Sequence, residues 1–177
     1  MASVAKSPPA QFIATTPIGW VKGGAATVSW EAPAEAYGAT SYAVLVDGRV
    51  RAHGLTGLSE RVDSRGLGDG IHRVQVLATD SLGQQTMTEP AELKVDANPP
   101  EVTVRKRGGR RVSVGVHDRA SGAVASATSF AFGDGSHARH KLNAGHTYAR
   151  PGRYVITVRS RDRVGHQLFA RTRVQVG

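Results

Sequence analysis

A pattern of six residues recurs once along the chain, at a spacing of 82 residues. The first copy consists of Gly70, His72, Val74, Val76, Asp80 and Gly83, and the second of Gly152, Tyr154, Ile156, Val158, Asp162 and Gly165. Within each copy the residues before the Asp-x-x-Gly turn are two apart, which is the period of a half-buried β-strand. A repeat of this length has the size of a β-sandwich domain, so it predicts two tandem domains.

Short alternating runs bounded by turn residues make up most of the remaining chain. Glycine (21) and proline (8) interrupt these runs at short intervals, and no long stripe with helical period occurs. Alternation in Ala26–Trp30 places Trp30 on the core side, and Asp47-Gly48 predicts a two-residue hairpin turn. The predicted fold class is all-β, with two tandem immunoglobulin-like β-sandwich domains in an elongated arrangement.

The proline pair Pro99-Pro100 predicts a semi-rigid junction between the two domains. We expect an N-terminal linker at residues 1–9, a first domain at 10–98 and a second domain at 99–177. Asp96 and Asn98 offer hard oxygen ligands near the junction, as interdomain calcium sites do. Calcium is nevertheless disfavoured there, because it needs several carboxylates and the second domain has only 4 acidic residues.

Several short motifs carry a resemblance to known families. The residues VSWEAP, Tyr42 and LGDGIHRVQVLATD resemble a fibronectin type III domain over Pro9 to Asp96, with His72 where such domains usually have Tyr. The motifs FGDGS, HTY, PGRY and the turn from Asp162 to Gly165, in this order, look like a PKD (polycystic kidney disease) domain over Pro100 to Val176. This second resemblance departs from the family at Phe130, which is usually Trp, and at Ala131, where Asp is common.

The resemblance implies a non-catalytic module, because such domains act mostly as spacers, adhesion units or accessories to hydrolases in exported bacterial proteins. The sequence agrees, since it contains no nucleophile-elbow, P-loop, zinc-protease or dinucleotide-binding motif. We therefore predict no enzyme activity, no catalytic residue and no cofactor.

No apolar run approaches a membrane span, and the start MASVAKSPPAQF lacks the apolar core of a signal peptide. We expect a segment of a longer exported protein, located outside the cell or on its surface.

Charge is distributed unevenly between the predicted domains. Residues 1–98 carry 8 Lys and Arg against 10 Asp and Glu, a net charge of −2, and residues 99–177 carry 15 against 4, a net charge of +11. Strand alternation turns four arginines toward solvent on the last two predicted strands, and these are Arg159, Arg161, Arg171 and Arg173. Arginine forks suit phosphates, sulfates and carboxylates, so the four residues are the predicted polyanion-binding site.

Three interpretations of this arginine face stay open. In the first, the face is a solvated surface that follows from an arginine-rich composition. In the second, it binds an acidic polysaccharide or cell-wall polymer, and in the third it docks an acidic protein domain of the longer parent protein. No aromatic platform interleaves the arginines, so specific nucleic-acid binding is not expected.

Two functions compete on this basis. The first is a structural spacer or adhesion unit, and the alternative is an accessory carbohydrate- or anionic-polymer-binding module of a secreted hydrolase that uses the basic face. Exposure of Trp20 would favour glycan binding.

The cluster His137, His140 and His146 has ligand types suited to Zn²⁺, but His146 belongs to the HTY motif, so we predict no metal site. His72 is predicted to be a packed strand residue.

Overall fold

The structure is a computed structural model that describes residues 6–177. Strands and turns make up this range, apart from a single 3₁₀ turn at Ala125–Ala127. The all-β prediction is therefore confirmed. The chain divides into two compact units, one ending at Ala97 and one spanning Asn98–Gly177. No helix within residues 6–177 is long and apolar enough to cross a membrane.

Over residues 6–97, the first unit contains nine strands in two sheets. They are β1 (Ala14–Thr15), β2 (Trp20–Lys22), β3 (Ala25–Trp30), β4 (Ser41–Val46), β5 (Arg49–Leu55), β6 (Ser59–Asp63), β7 (Gly70–Thr79), β8 (Gln85–Met87) and β9 (Ala91–Asp96). One sheet has the order β1-β3-β6 and the other β2-β9-β7-β4-β5, with β8 paired to β7. All pairs are antiparallel except β2 with β9.

Alternation along the strands places one apolar face of each sheet in a shared core. Val28 and Trp30 of β3 pack with Val44 of β4 and Val74 and Val76 of β7, and all five are buried. The hairpin turn predicted between β4 and β5 is confirmed, because Asp47 and Gly48 both have positive φ angles, of 50° and 74°.

The start of the described chain contacts the first unit. The side chain of Gln84 donates a hydrogen bond to the carbonyl of Lys6 at 2.7 Å, and the Thr86 hydroxyl donates to the carbonyl of Pro9 at 2.6 Å. Pro9 is buried. These two bonds attach residues 6–9 to strand β8 and to the turn that precedes it.

The second unit contains seven strands, also in two sheets. They are β10 (Glu101–Lys106), β11 (Arg111–His117), β12 (Ser129–Ala131), β13 (His137–Arg139), β14 (Asn143–Thr147), β15 (Gly152–Arg161) and β16 (Gln167–Val176). The three-stranded sheet has the order β10-β11-β14 and the four-stranded sheet β13-β12-β15-β16, and every pair is antiparallel. Two antiparallel sheets around one core form an immunoglobulin-like sandwich.

Aromatic residues fill the centre of this second core. Phe130 takes the position where a Trp is usual and is fully buried, as is Tyr148 of the HTY motif. The Tyr148 hydroxyl donates a hydrogen bond to the carbonyl of Phe132 at 3.0 Å, and its ring stacks on Tyr154 with centroids 4.0 Å apart. Burial raises the pKa of Tyr148 to about 12, with a smaller contribution from the nearby carboxylate of Asp134.

Candidate functional site

Six exposed arginines share the outer face of the four-stranded sheet of the second unit. We call this surface the basic face, and it comprises Arg139, Arg153, Arg159, Arg161, Arg171 and Arg173. Alternation determines which residues lie there, because Ile156 and Val158 of β15 point into the core and the residues between them point outward. The structure thus brings together all four arginines selected from the sequence. It adds Arg153 and Arg139, which the sequence pattern had not singled out.

Strand register determines the spacing of these charges. Arg159 lies opposite Phe169, Arg171 opposite Thr157, and Arg173 opposite Val155. Arg161 lies opposite Gln167. No two arginines of β15 and β16 are direct cross-strand partners, so the nearest like charges across these strands are diagonal neighbours with Cα atoms roughly 7 to 8 Å apart. This offset register reduces the repulsion that a directly paired ladder of arginines would have.

A second row of residues connects Arg139 to the same surface. Ser129 of β12 pairs with Arg139 of β13 on one side and with Arg159 of β15 on the other. Because direct partners point to the same side of a sheet, Arg139, Ser129, Arg159 and Phe169 form one line across all four strands. A shallow groove of about 440 Å³ lies along this line and is lined in part by Arg139, Thr157 and Arg159.

The basic face contains no acidic side chain, because none of β12, β13, β15 and β16 includes Asp or Glu. The four acids of the second unit have other partners. Glu101 and Asp134 accept hydrogen bonds from His117 and His146, Asp118 accepts backbone N–H groups of its own loop, and Asp162 accepts those of the turn that follows it. Within residues 98–177 no arginine of the basic face has a salt bridge. Their charges are therefore available to an external anion.

Phe169 is an exposed aromatic ring within the basic face, with 58% of its surface accessible. The guanidinium carbon of Arg159 lies 4.9 Å from the centroid of this ring, in a cation–π contact. A shallow hollow of about 560 Å³ beside the ring is lined in part by Arg159, Arg161 and Gln167. The sequence pattern predicts no aromatic platform for successive bases among the arginines, and one exposed ring, Phe169, lies beside them in the structure. Alternation places Phe169 on their side, but the pairing with Arg159 depends on register.

The three histidines considered as zinc ligands have different surroundings. His137 lies on β13 with its side chain exposed, and His140 follows that strand at a positive φ of 57°. His146 stacks on Phe132 with centroids 4.4 Å apart and bonds through Nε2 to Asp134 Oδ2 at 2.7 Å. Burial raises the pKa of Asp134, but the hydrogen bonds from His146 and Ser136 outweigh burial, and the net shift is downward. Over residues 6–177 these three histidines do not converge on a common metal position.

The two remaining residues singled out from the sequence lie in the first unit. Trp20 begins strand β2 and is half-buried, so it offers no freely exposed ring. His72 lies on the core side of β7, as predicted, and is half-buried. Its Nδ1 lies 2.7 Å from Asp47 Oδ2 and its Nε2 3.0 Å from the carbonyl of Gly68. His72 is thus bound on both sides by oxygen acceptors.

Residues 100–176 match the family model described as PKD domain, which confirms the resemblance carried by the FGDGS, HTY and PGRY motifs. The chain has no significant match among curated proteins. The fibronectin(III)-like modules of Clostridium thermocellum CbhA are 12% identical to this chain with a TM-score of 0.42, and 93% of this chain and 94% of that chain are covered.

Two further solved structures are similar at the same low level. The FN1–FN3 domains of chicken CNTN1 are 14% identical with a TM-score of 0.42, over 96% of this chain and 66% of that chain. The Bacteroides ovatus protein SGBP-B of a mixed-linkage glucan utilization locus, solved in complex with a mixed-linkage heptasaccharide, is 12% identical with a TM-score of 0.36. That alignment covers 99% of this chain and 45% of the other.

Proposed function

Since the chain consists of a fibronectin type III-like domain followed by a PKD domain at residues 100–176, we propose that it is a non-catalytic interaction module of an exported bacterial multidomain protein. Its role is to bind an anionic polymer outside the cell through the basic face of the PKD domain. Domains of these two kinds are typically non-catalytic. The partner class is an acidic polysaccharide or cell-wall polymer, presented to the module as a repeating series of anionic groups.

One observation carries this proposal, namely six exposed arginines on a sheet face that has no acid. Guanidinium groups bind carboxylate, sulfate and phosphate oxygens through paired N–H donors. Arg153 and Arg161 lie eight residues apart on β15, a distance of roughly 27 Å at the rise of a β-strand. A polymer with repeated charges can contact several arginines at once over this length, which multiplies its affinity without requiring a deep pocket.

The test compares two variants that lose the same charge from different surfaces. The face variant changes Arg159, Arg161, Arg171 and Arg173 to Gln, and the control variant changes Arg105, Lys106, Arg111 and Arg119 to Gln. All eight residues are exposed. We expect the face variant to lose more than about tenfold in affinity for heparin, measured by fluorescence anisotropy, and the control variant to lose much less.

Salt dependence provides the second measurement. For the wild-type chain, affinity should fall steeply between about 50 mM and about 200 mM salt, because binding releases counterions, and the slope should be shallower for the face variant. Equal losses in the face and control variants would mean that net charge alone is responsible. Heparin affinity that does not change with salt would contradict the proposal directly. Circular dichroism of each variant verifies that the fold is retained.

A structural spacer is the second candidate function, and the turn chemistry favours it. In both domains an aspartate closes the turn after the long strand, since the Oδ1 atoms of Asp80 and Asp162 each accept two backbone N–H groups. Such turns are rigid, as a spacer or adhesion unit requires. If the wild-type chain binds neither heparin nor other anionic polymers, the spacer function is favoured.

A further inference from the structure

Phe169 differs from the rest of the basic face in being apolar. Among the described residues of the second unit it is the only large hydrophobic side chain that is exposed. An isolated exposed ring is common on protein surfaces and needs no function. This ring, however, has Arg159 directly opposite and Arg171 two residues along its own strand. Apolar and cationic groups are therefore combined at one position.

The contact with Phe169 leaves the N–H donors of the Arg159 guanidinium available to an anion. When a guanidinium stacks on an aromatic face, its N–H donors lie around its rim and stay available to an acceptor. Arg171 stands roughly 7 Å from Phe169 along β16, the rise of two strand residues. Strand β16 is the last strand of its sheet, so no further strand lies beside the ring on that side.

A ligand that fits this arrangement has a flat apolar face and an anionic group at its edge. A sugar ring with a carboxylate or sulfate has both, because its C–H groups form an apolar face and its charged substituent projects from the rim. A single-stranded nucleic acid fits less well, since it requires several aromatic platforms for successive bases and the basic face has one. Polyphosphate offers charge but nothing for Phe169 to contact.

We propose that Phe169, Arg159 and Arg171 form a subsite for one sugar ring of an acidic polysaccharide. The C–H face of the sugar packs on Phe169, and the carboxylate or sulfate accepts hydrogen bonds from Arg159 and Arg171. This inference rests on the proposed function, and it narrows the ligand from polyanions in general to polymers built of charged sugars. The remaining arginines of the basic face contact neighbouring charged units of the same polymer.

The experiment measures binding of the full chain to three polymers. Polygalacturonate carries carboxylates on sugar rings, dextran sulfate carries sulfates on sugar rings, and polyphosphate carries charge without rings. We expect Phe169→Ala to weaken binding of the two sugar polymers by about tenfold and to leave polyphosphate binding unchanged. Arg171→Gln should weaken all three. Gln175→Ala, on the same face and strand, is the control and should change none of them.

A second substitution at the same position tests whether an aromatic ring is what matters. The Phe169→Trp variant should bind the sugar polymers at least as tightly as the wild-type chain. If Phe169→Ala weakens polygalacturonate binding more than dextran sulfate binding, carboxylate is the preferred anion, and the opposite result identifies sulfate. If Phe169→Ala weakens polyphosphate binding as much as sugar binding, the ring only positions Arg159 and the inference is wrong. If it weakens neither, the inference is also wrong, but polymer binding by the wild-type chain still supports the proposed function. If none of the three polymers binds, the inference is wrong, and if heparin does not bind either, the proposed function is wrong as well.

Discussion

Gly133 in the FGDGS motif has two separate reasons to be glycine. Its φ angle is 86°, a region that residues with a Cβ rarely adopt. A Cβ placed there would lie 2.7 Å from the carbonyl oxygen and 2.9 Å from the amide nitrogen of Val155. The backbone of β15, which carries the basic face, passes directly beside this turn. The turn and its conformational need could be predicted from the sequence, but the contact with Val155 is visible only in the folded domain.

We predict that Gly133→Ala destabilises the PKD domain by roughly 2 to 4 kcal/mol, because the strained φ and the clash with backbone atoms add. Gly135→Ala is the matched control, since Gly135 has a φ of 91° but no atom lies within 4 Å of the point where its Cβ would stand. It should cost only about 1 kcal/mol, from the backbone conformation alone. Differential scanning calorimetry of the full chain measures both changes, and equal costs would show that the Val155 contact is unimportant.

His72 is a residue whose protonation is linked to folding of the first domain. Both ring nitrogens face acceptor oxygens, of Asp47 and Gly68, and both can be satisfied only when each nitrogen carries a proton. Burial lowers the pKa of His72, but the bonds to Asp47 and Gly68 outweigh burial and raise it above its ordinary value of 6.5. The carboxyl of Asp47 is affected in the opposite sense, since burial raises its pKa but the hydrogen bonds from His72 and Arg73 lower it overall.

The raised pKa of His72 predicts a loss of stability on the alkaline side. Its contribution is fully present below the unfolded value of about 6.5 and disappears as the pH rises through the higher folded value. Both tryptophans lie in the first domain, so tryptophan fluorescence during urea unfolding reports on that domain. The free energy of unfolding should fall between about pH 6 and about pH 8.5, and His72→Gln should abolish this fall.

The matched control for this pH dependence is His53→Gln, because His53 is an exposed histidine of the same domain. Its substitution should leave the fall in stability in place. A wild-type chain whose first domain is equally stable at both pH values would show that the pair of His72 and Asp47 does not contribute.

Among the elements of the structure, the two Asp-x-x-Gly turns have the equivalent conformations that the sequence repeat predicts. Asp80 Oδ1 accepts the N–H groups of Leu82 and Gln84 at 2.8 and 2.9 Å, and Asp162 Oδ1 accepts those of Val164 and His166 at 3.0 and 2.8 Å. The spacing of 82 residues thus joins positions with the same hydrogen-bond geometry. Such turns could be predicted from sequence because all their partners are local.

We predict that Asp80→Ala destabilises the first domain by roughly 2 to 3 kcal/mol, since two backbone N–H groups lose their acceptor. Asp80→Asn should cost less than about 1 kcal/mol, because the amide oxygen can still accept both bonds and, within residues 6–177, Asp80 Oδ2 has no hydrogen-bond partner to lose. Urea unfolding followed by tryptophan fluorescence distinguishes them. A large cost for Asn would show that the negative charge itself stabilises the turn.

In the strands that carry the basic face, the sequence predicts on which side of the sheet a residue lies but not its partner on the next strand. Alternation sufficed to assign Arg159 and Arg161 to one side of β15 and Arg171 and Arg173 to the same side of β16. It did not indicate that Arg159 lies opposite Phe169, because register depends on the geometry of the turn between the strands and on core packing. Arg139 was missed for a related reason. It reaches the face through pairing of β13 with β12, and short strands give little periodic signal.

For the molecule as a whole, the two domains differ in net charge. The sequence alone established that residues 99–177 carry 15 basic and 4 acidic residues, and it correctly identified two all-β domains. It could not reveal that all four acids lie outside the four-stranded sheet, which depends on the folded arrangement. This segregation leaves one face uniformly positive, so its field attracts polyanions from solution and repels other cationic surfaces.

Strand β16 is hydrogen-bonded to β15 along ten residues and is the last strand of its sheet. An edge strand of this length is a template on which a second chain can add, and this is how many β proteins begin to aggregate. Two copies meeting edge to edge would bring Arg171 and Arg173 close to the same residues of the other copy. Repulsion between these charges opposes such contact. The arginines of this strand therefore oppose edge-to-edge pairing of two copies.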